Sequence, residues 1–147
     1  MDESFFREPD IYQESDRIIE AISFLSKLDL ENFENVTLFF QNSIFVTSKK
    51  LLKSLIRSLL NVIRFRTKKL DLYTNLCINL KTISGLVPHI LIKFLKNADS
   101  MTPSQFKFYR LCMSKNLISS FDVIKQISPI LYFNITERSS VEHLIPL

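Results

Sequence analysis

Hydrophobic residues recur every three to four positions along most of this chain, which is the period of an α-helix. The most regular pattern extends from Ser48 to Phe65, where apolar residues lie on one face and basic residues lie largely opposite. Thr47 and Ser48 precede it and can cap its first turn. Its apolar positions are Leu51, Leu52, Leu55, Ile56, Leu59 and Ile63. We therefore predict an amphipathic helix that packs one face against a core.

Weaker patterns of the same period predict further helices along the chain. They cover residues 15–28, 31–41, 68–83, 88–95, 102–116 and 119–127. The segment 31–41 is rich in β-branched and aromatic residues, so a strand is the alternative there. Gly85 is predicted to end the fourth helix, and Pro129 the last one. Thr102 and Gln105 have the spacing of a capping box, which predicts a helix start at Thr102.

Six to seven helices of 10 to 18 residues with short links indicate an all-α fold. We expect antiparallel helical hairpins, of which 48–65 and 68–83 form one, arranged as an α-solenoid-like stack or an irregular bundle. A length of 147 residues suits one domain over residues 1–147, with an acidic segment at 1–13 and a C-terminal tail at 134–147. The single glycine makes an all-β fold improbable and excludes glycine-rich nucleotide-binding loops.

Charge is divided unevenly along the chain. Residues 1–40 have a net charge of −7 and residues 41–147 a net charge of +11, so the total of +4 hides a dipolar molecule. Between residues 48 and 69 there are eight basic residues and no acidic one. Seven of these form what we call the basic face: Lys49, Lys53, Arg57, Arg64, Arg66, Lys68 and Lys69. A solvated helix face is the plainest interpretation, and a partner-binding surface is the functional one.

No combination of residues indicates catalysis or metal binding. His89 and His143 have no titratable partner nearby in sequence, and Cys77 and Cys112 lie singly among leucines, as small buried hydrophobic residues do. We expect no catalytic residue, no cofactor and no metal ion. The N-terminus has no signal-peptide pattern, and no apolar stretch reaches the ~20 residues of a membrane span. An intracellular, cytoplasmic protein without a transmembrane segment is therefore expected.

These observations favour a non-catalytic helical module for protein–protein interaction. The basic face would contact an acidic surface, for which the acidic N-terminus of another copy is one candidate. The alternative is nucleic-acid binding through the same helix, with phosphates along its cations and Phe65 or Tyr73 free to stack on a base. Against direct RNA binding, the aromatic residues fall on faces predicted to be buried.

Residues 54–80 are similar to a helical region that precedes the repeats in large ankyrin-repeat protein families of parasitic protists. In that pattern a helix ends in a basic Arg-x-Arg or Arg-x-Lys step and leads into a helix with a Leu-Tyr pair. Arg64, Arg66, Leu72 and Tyr73 occupy those places here. The resemblance covers about 100 residues and implies an interaction module that is the N-terminal part of an ankyrin-repeat-type protein. It brings no catalytic residue, and the chain contains no Thr-Pro-Leu-His ankyrin motif.

Overall fold

The structure, a computed structural model, describes the backbone of residues 3–137 and the side chains of residues 15–128. Within those residues it contains seven α-helices and no strand, which confirms the all-α fold class. The helices are α1 Glu3–Ser26, α2 Phe33–Gln41, α3 Lys49–Val62, α4 Leu70–Lys81, α5 Val87–Phe94, α6 Pro103–Ser114 and α7 Ser120–Glu137. Short 3-10 segments lie at Ile44–Val46, Ile63–Phe65 and Leu95–Ser100. The segment 31–41 is thus helical, and the strand alternative is wrong.

Alternate helices contact each other through the fold. Helix α3 packs against α1 and α5, and α5 packs against α7. In the same manner α4 packs against α2 and α6. Among the helices, α3 therefore makes its most extensive contacts with α1 and α5, and not with α4, the hairpin partner expected from sequence. A solenoid-like stack stays a prediction, but the order of contacts places α3, α5 and α7 side by side.

The core is built from aliphatic side chains with a few buried aromatic ones. Every apolar position predicted for α3 is buried, as are Phe40, Phe45, Tyr73, Phe108 and Tyr109. The two tyrosines bury a hydroxyl group, and each hydroxyl donates to a backbone carbonyl, that of Leu25 for Tyr73 and that of Leu91 for Tyr109. Burial of these polar groups is tolerated because each has a hydrogen-bond partner.

Local capping confirms the predicted starts of three helices. The Ser48 hydroxyl accepts from the amide of Leu51 at 3.3 Å. Thr102 and Gln105 form the complete capping box, and Gln105 also donates to the carbonyl of Leu60 on α3 at 2.9 Å. The Ser119 hydroxyl accepts from the amide of Asp122 at 3.0 Å, so Ser119 caps α7. These side chains satisfy amides that a helix leaves without an internal acceptor.

Three predicted boundaries are wrong. Helix α1 begins at Glu3 and not at Ser15. Helix α4 ends at Lys81, in a turn where the amides of residues 83 and 84 both donate to the carbonyl of Leu80. Gly85 is not in the left-handed conformation, so it does not end the helix as predicted.

The third wrong boundary is the end of α7, which continues through Pro129 to Glu137. A proline interrupts the backbone hydrogen bonding of a helix but does not always end it. The turn before it is held additionally by the exposed Ser128, whose hydroxyl donates to the carbonyl of Ile124 at 2.6 Å. The predicted tail 134–147 therefore begins inside α7, while its last ten residues, with His143, lie outside the described residues.

Candidate functional site

The N-terminal half of the basic face lies along the exposed side of α3. Lys49, Lys53 and Arg57 are each four residues apart, so they follow one another on the same face of the helix. All three side chains are exposed, while Leu51 and Leu55 between them are buried on the opposite face. The sequence pattern of α3 therefore places a row of cations beside whatever helix packs against that edge.

Helix α5 packs against that edge and adds two residues that sequence analysis did not assign to the basic face. Pro88 lies in its first turn, and His89 and Lys93 follow with a spacing of four, so both lie on one face. Between α3 and α5 there is a recess of about 160 Å³, which we call the lysine recess. It is lined by Lys49, Lys53, Leu86, His89, Ile90 and Lys93. Two helices thus bring three ammonium groups and an imidazole around a partly apolar floor.

Arg57 of α3 and Arg64 of the 3-10 segment after it line a second recess, of about 220 Å³, which we call the arginine recess. Asn97 and Ser100, from the 3-10 segment that follows α5, also line it. The Arg57 guanidinium lies over the ring of Phe94, 5.6 Å from its centroid, a cation–π contact that restrains the side chain. We use the name basic groove for the two recesses together with the row of cations at positions 49, 53, 57 and 64 that lines them.

A larger recess, of about 460 Å³, lies between α5 and α7. His89 and Lys93 line it from α5, and Lys125 and Asp122 line it from α7; Lys81 completes its cationic rim. His89 and Lys93 therefore belong to both the lysine recess and this one. Asp122 distinguishes the two, because a carboxylate in the α5–α7 recess offsets part of the positive charge there.

Arg66 does not join the basic groove. Its side chain is half-buried and donates to the carbonyl of Ser26 at 2.7 Å and to the Tyr73 hydroxyl at 3.3 Å. It therefore fastens the C-terminal end of α1 to α4. Burial raises the pKa of the Tyr73 hydroxyl, and the neighbouring Arg66 charge lowers it by a smaller amount. The position of Arg66 is that of a structural residue.

Lys68 and Lys69 are exposed in the link before α4, with Lys69 in the left-handed conformation at φ 66°. Phe65 lies nearby with 83% of its surface exposed, and the Arg64 guanidinium stacks over its ring at 5.7 Å. Tyr73, the other aromatic residue predicted to be available, is fully buried. A basic and aromatic surface is therefore present at this end of α3, with Phe65 as its accessible ring.

The seven residues of the basic face are thus separated by the fold. Four of them line the basic groove, two lie in the exposed link and one is turned inward. The spacing of His89 and Lys93 at the start of a helix was visible in the sequence, but nothing local showed that α5 would pack beside α3. That pairing depends on contacts between segments about 40 residues apart, which periodicity does not report.

Other reactive side chains lie away from the basic groove. Cys77 and Cys112 are both free and buried, as predicted for small hydrophobic residues. Burial raises the pKa of Cys77 to about 12 and also raises that of Cys112, so both thiols stay protonated at neutral pH. Within the described part of the chain, no three His, Cys, Asp or Glu side chains are grouped to hold a metal ion.

No family model, curated protein or solved structure matches this chain. Among the residues that the structure describes, no helix combines the length and apolar character needed to cross a membrane.

Proposed function

We propose that this protein is a non-catalytic helical interaction module that binds an acidic partner in the basic groove. The observation that carries the proposal is that a row of exposed cations on α3 and the segment after it lines two recesses, and that α5 adds Lys93 to one of them. From Lys49 to Arg64 the groove follows α3 and the 3-10 segment after it, which is about 23 Å at roughly 1.5 Å and 2.0 Å per residue. That length corresponds to four turns of a partner helix or a short extended segment.

The composition of the groove supports a mixed apolar and acidic partner. Leu86, Ile90 and Phe94 line it from α5, and Leu86 retains 40% of its surface exposed. Apolar contacts of this kind contribute affinity, while surrounding charges chiefly raise the rate of association and select the sign of the partner's charge. A segment with acidic residues on one side and apolar residues on the other would satisfy both parts of the groove.

Charge reversal in the groove tests this proposal. The double variant Lys49→Glu and Lys53→Glu is compared with Lys107→Glu and Arg110→Glu, which changes the net charge equally on the exposed side of α6. Affinity capture followed by mass spectrometry should recover acidic proteins with the wild type and with the α6 variant, and lose them with the groove variant. Recovery should also decrease as salt is raised. Equal recovery by both variants would refute the assignment of the groove.

Nucleic-acid binding is the second candidate, and Phe65 is the observation that favours it. An exposed aromatic ring stacked under an arginine and flanked by lysines is a platform for an unpaired base. A salt titration against single-stranded and duplex oligonucleotides separates the two functions. Retention of the single strand at low salt, weakened by Phe65→Ala, would support this candidate, and no retention even at low salt removes it.

A relation to the helical region that precedes ankyrin repeats is also proposed, on the residues Arg64, Arg66, Leu72 and Tyr73 alone. In the fold, Tyr73 and Arg66 bond to each other and hold α1 against α4, so these positions have a structural use in such a module. The coding sequence that follows Leu147 tests the relation. Ankyrin repeats there would support it, and an unrelated sequence or a stop codon would refute it.

A further inference from the structure

The lysine recess concentrates positive charge more strongly than any other recess described above. Lys49 and Lys53 approach from α3, and His89 and Lys93 approach from α5. No carboxylate is among the described residues that line it, whereas Asp122 lies in the neighbouring α5–α7 recess. Among the described side chains, none forms an ion pair with any of these three ammonium groups. The charge is therefore not neutralised from within the described part of the fold.

Lys49 and Lys53 are like charges four residues apart, a spacing that slightly destabilises a helix, and Lys93 adds a third positive charge from α5. An anion bound in the recess would offset this repulsion. A carboxylate would neutralise one of these charges. A phosphate monoester carries a charge of about −1.5 to −2 at neutral pH and three acceptor oxygens, so it can accept from all three ammonium groups at once.

The shape of the recess suits a phosphate attached to a short side chain. Its volume of about 160 Å³ is about ten times the roughly 10–15 Å³ that a cavity needs to admit one water molecule. Leu86 and Ile90 supply apolar surface, which can cover the methylene or methyl group next to a phosphoester oxygen.

We propose that the lysine recess binds the phosphate of a phosphoserine or phosphothreonine within the partner's acidic segment. The inference rests on the proposed function and specifies the chemistry of the partner. Residues Lys49, Lys53 and Lys93 donate to the phosphate oxygens, and His89 contributes a fourth polar contact from α5. The remainder of the basic groove then binds the acidic residues that flank the modified one.

Fluorescence anisotropy with three labelled peptides tests the inference. The peptides are identical runs of glutamates and leucines that differ only at the central residue, which is serine, glutamate or phosphoserine. Each is titrated with the wild type, with Lys53→Gln and with Lys125→Gln. The two variants remove the same charge, but Lys125 lines only the α5–α7 recess and not the lysine recess. Circular dichroism of each variant verifies that the fold is retained.

We expect the wild type to bind the phosphoserine peptide at least tenfold more tightly than the serine and glutamate peptides. Only phosphoserine carries a phosphate, whose oxygens accept ionic hydrogen bonds from the lysines of the recess. Lys53→Gln should reduce that affinity about tenfold, Lys125→Gln less than twofold, and inorganic phosphate should compete. Equal affinity for all three peptides, or equal losses in both variants, would overturn the inference while leaving an acidic partner in place. Absence of binding by every peptide would overturn it as well, and charge reversal with affinity capture would then decide the proposed function independently.

Discussion

Replacing Tyr109 by phenylalanine removes one hydroxyl group that holds a wall of the basic groove in place. Tyr109 lies on α6 with 2% of its surface exposed, and its hydroxyl donates to the carbonyl of Leu91 on α5 at 2.6 Å. Leu91 lies in the last turn of α5, where helix carbonyls lack an internal donor. The tyrosine therefore supplies a bond that the helix cannot make for itself.

The expected cost follows from burial of both partners. Phenylalanine fills nearly the same space, so no cavity of note is created, and the change leaves the buried carbonyl of Leu91 without a donor. Such a loss costs about 1–3 kcal/mol. A value near 2 kcal/mol changes the ratio of folded to unfolded protein about 30-fold and lowers the melting temperature by roughly 4–8 °C for a chain of this size.

Urea denaturation followed by circular dichroism measures this loss as a lower midpoint at unchanged slope. Thr82→Val is the matched control, because the Thr82 hydroxyl also donates to a carbonyl, that of Asn79, but is exposed. Water can replace that donor, so the control should cost less than about 0.5 kcal/mol. Hydrogen exchange in Tyr109→Phe should increase first in α5, because that helix loses its tie to α6.

Two results would refute this reasoning. If Tyr109→Phe unfolds within 0.5 kcal/mol of the wild type, the Leu91 carbonyl has another donor in solution. If Thr82→Val costs as much as Tyr109→Phe, burial is not what decides the penalty. In the first case the position of α5 would not depend on the hydroxyl of Tyr109.

Three further predictions concern the core, the thiols and the exposed ring. Gln105→Ala should lower the free energy of unfolding, measured by urea denaturation, by about 2–3 kcal/mol, because it removes a capping bond with Thr102 and leaves the carbonyl of Leu60 without a donor. Gln105→Glu should not restore stability, since glutamate lacks the amide donor. Stability should fall as pH rises from 9 towards 12, because the buried Cys77 thiol keeps a proton that the unfolded chain releases above pH 9. Denaturation at several pH values measures this slope, and Cys77→Ala should reduce it by up to about 1.4 kcal/mol per pH unit. An unchanged slope would contradict the prediction. Phe65→Ala should change the melting temperature by less than about 2 °C, because the ring is 83% exposed; a larger decrease would show that Phe65 packs in solution.

Much of the fold could be predicted from the sequence, where local rules decide it. The all-α class, the buried face of α3 and the capping box at Thr102 depend on residues within one or two turns of each other, and all three are confirmed. The end of α7 could not be predicted in this way, since Pro129 weakens a helix without ending it. The prediction that Gly85 ends α4 is likewise wrong, because the chain turns there without a positive φ.

Only part of the basic groove could be predicted, because helical periodicity shows which residues are exposed on one helix but not which helices pack together. The periodicity of α3 identified Lys49, Lys53, Arg57 and Arg64 as exposed cations, and the structure agrees. Arg66 has the same charge and lies two residues further on, yet it points inward because Tyr73 and the end of α1 offer it partners. The contribution of α5 to the basic groove follows from tertiary packing, which no pattern within one helix encodes.

Site-specific photo-crosslinking tests the central claim most directly. A benzophenone amino acid replaces Leu86 in the lysine recess, Asn61 in the arginine recess, or Arg110 on the exposed side of α6, so that every cation of the basic groove is kept. Illumination in a lysate then links each position to the molecule that contacts it. We expect positions 86 and 61 to crosslink to the same acidic segment of one partner, and position 110 not to. Crosslinks to that partner from position 110 alone, or to nucleic acid from positions 86 and 61, would contradict the proposed function.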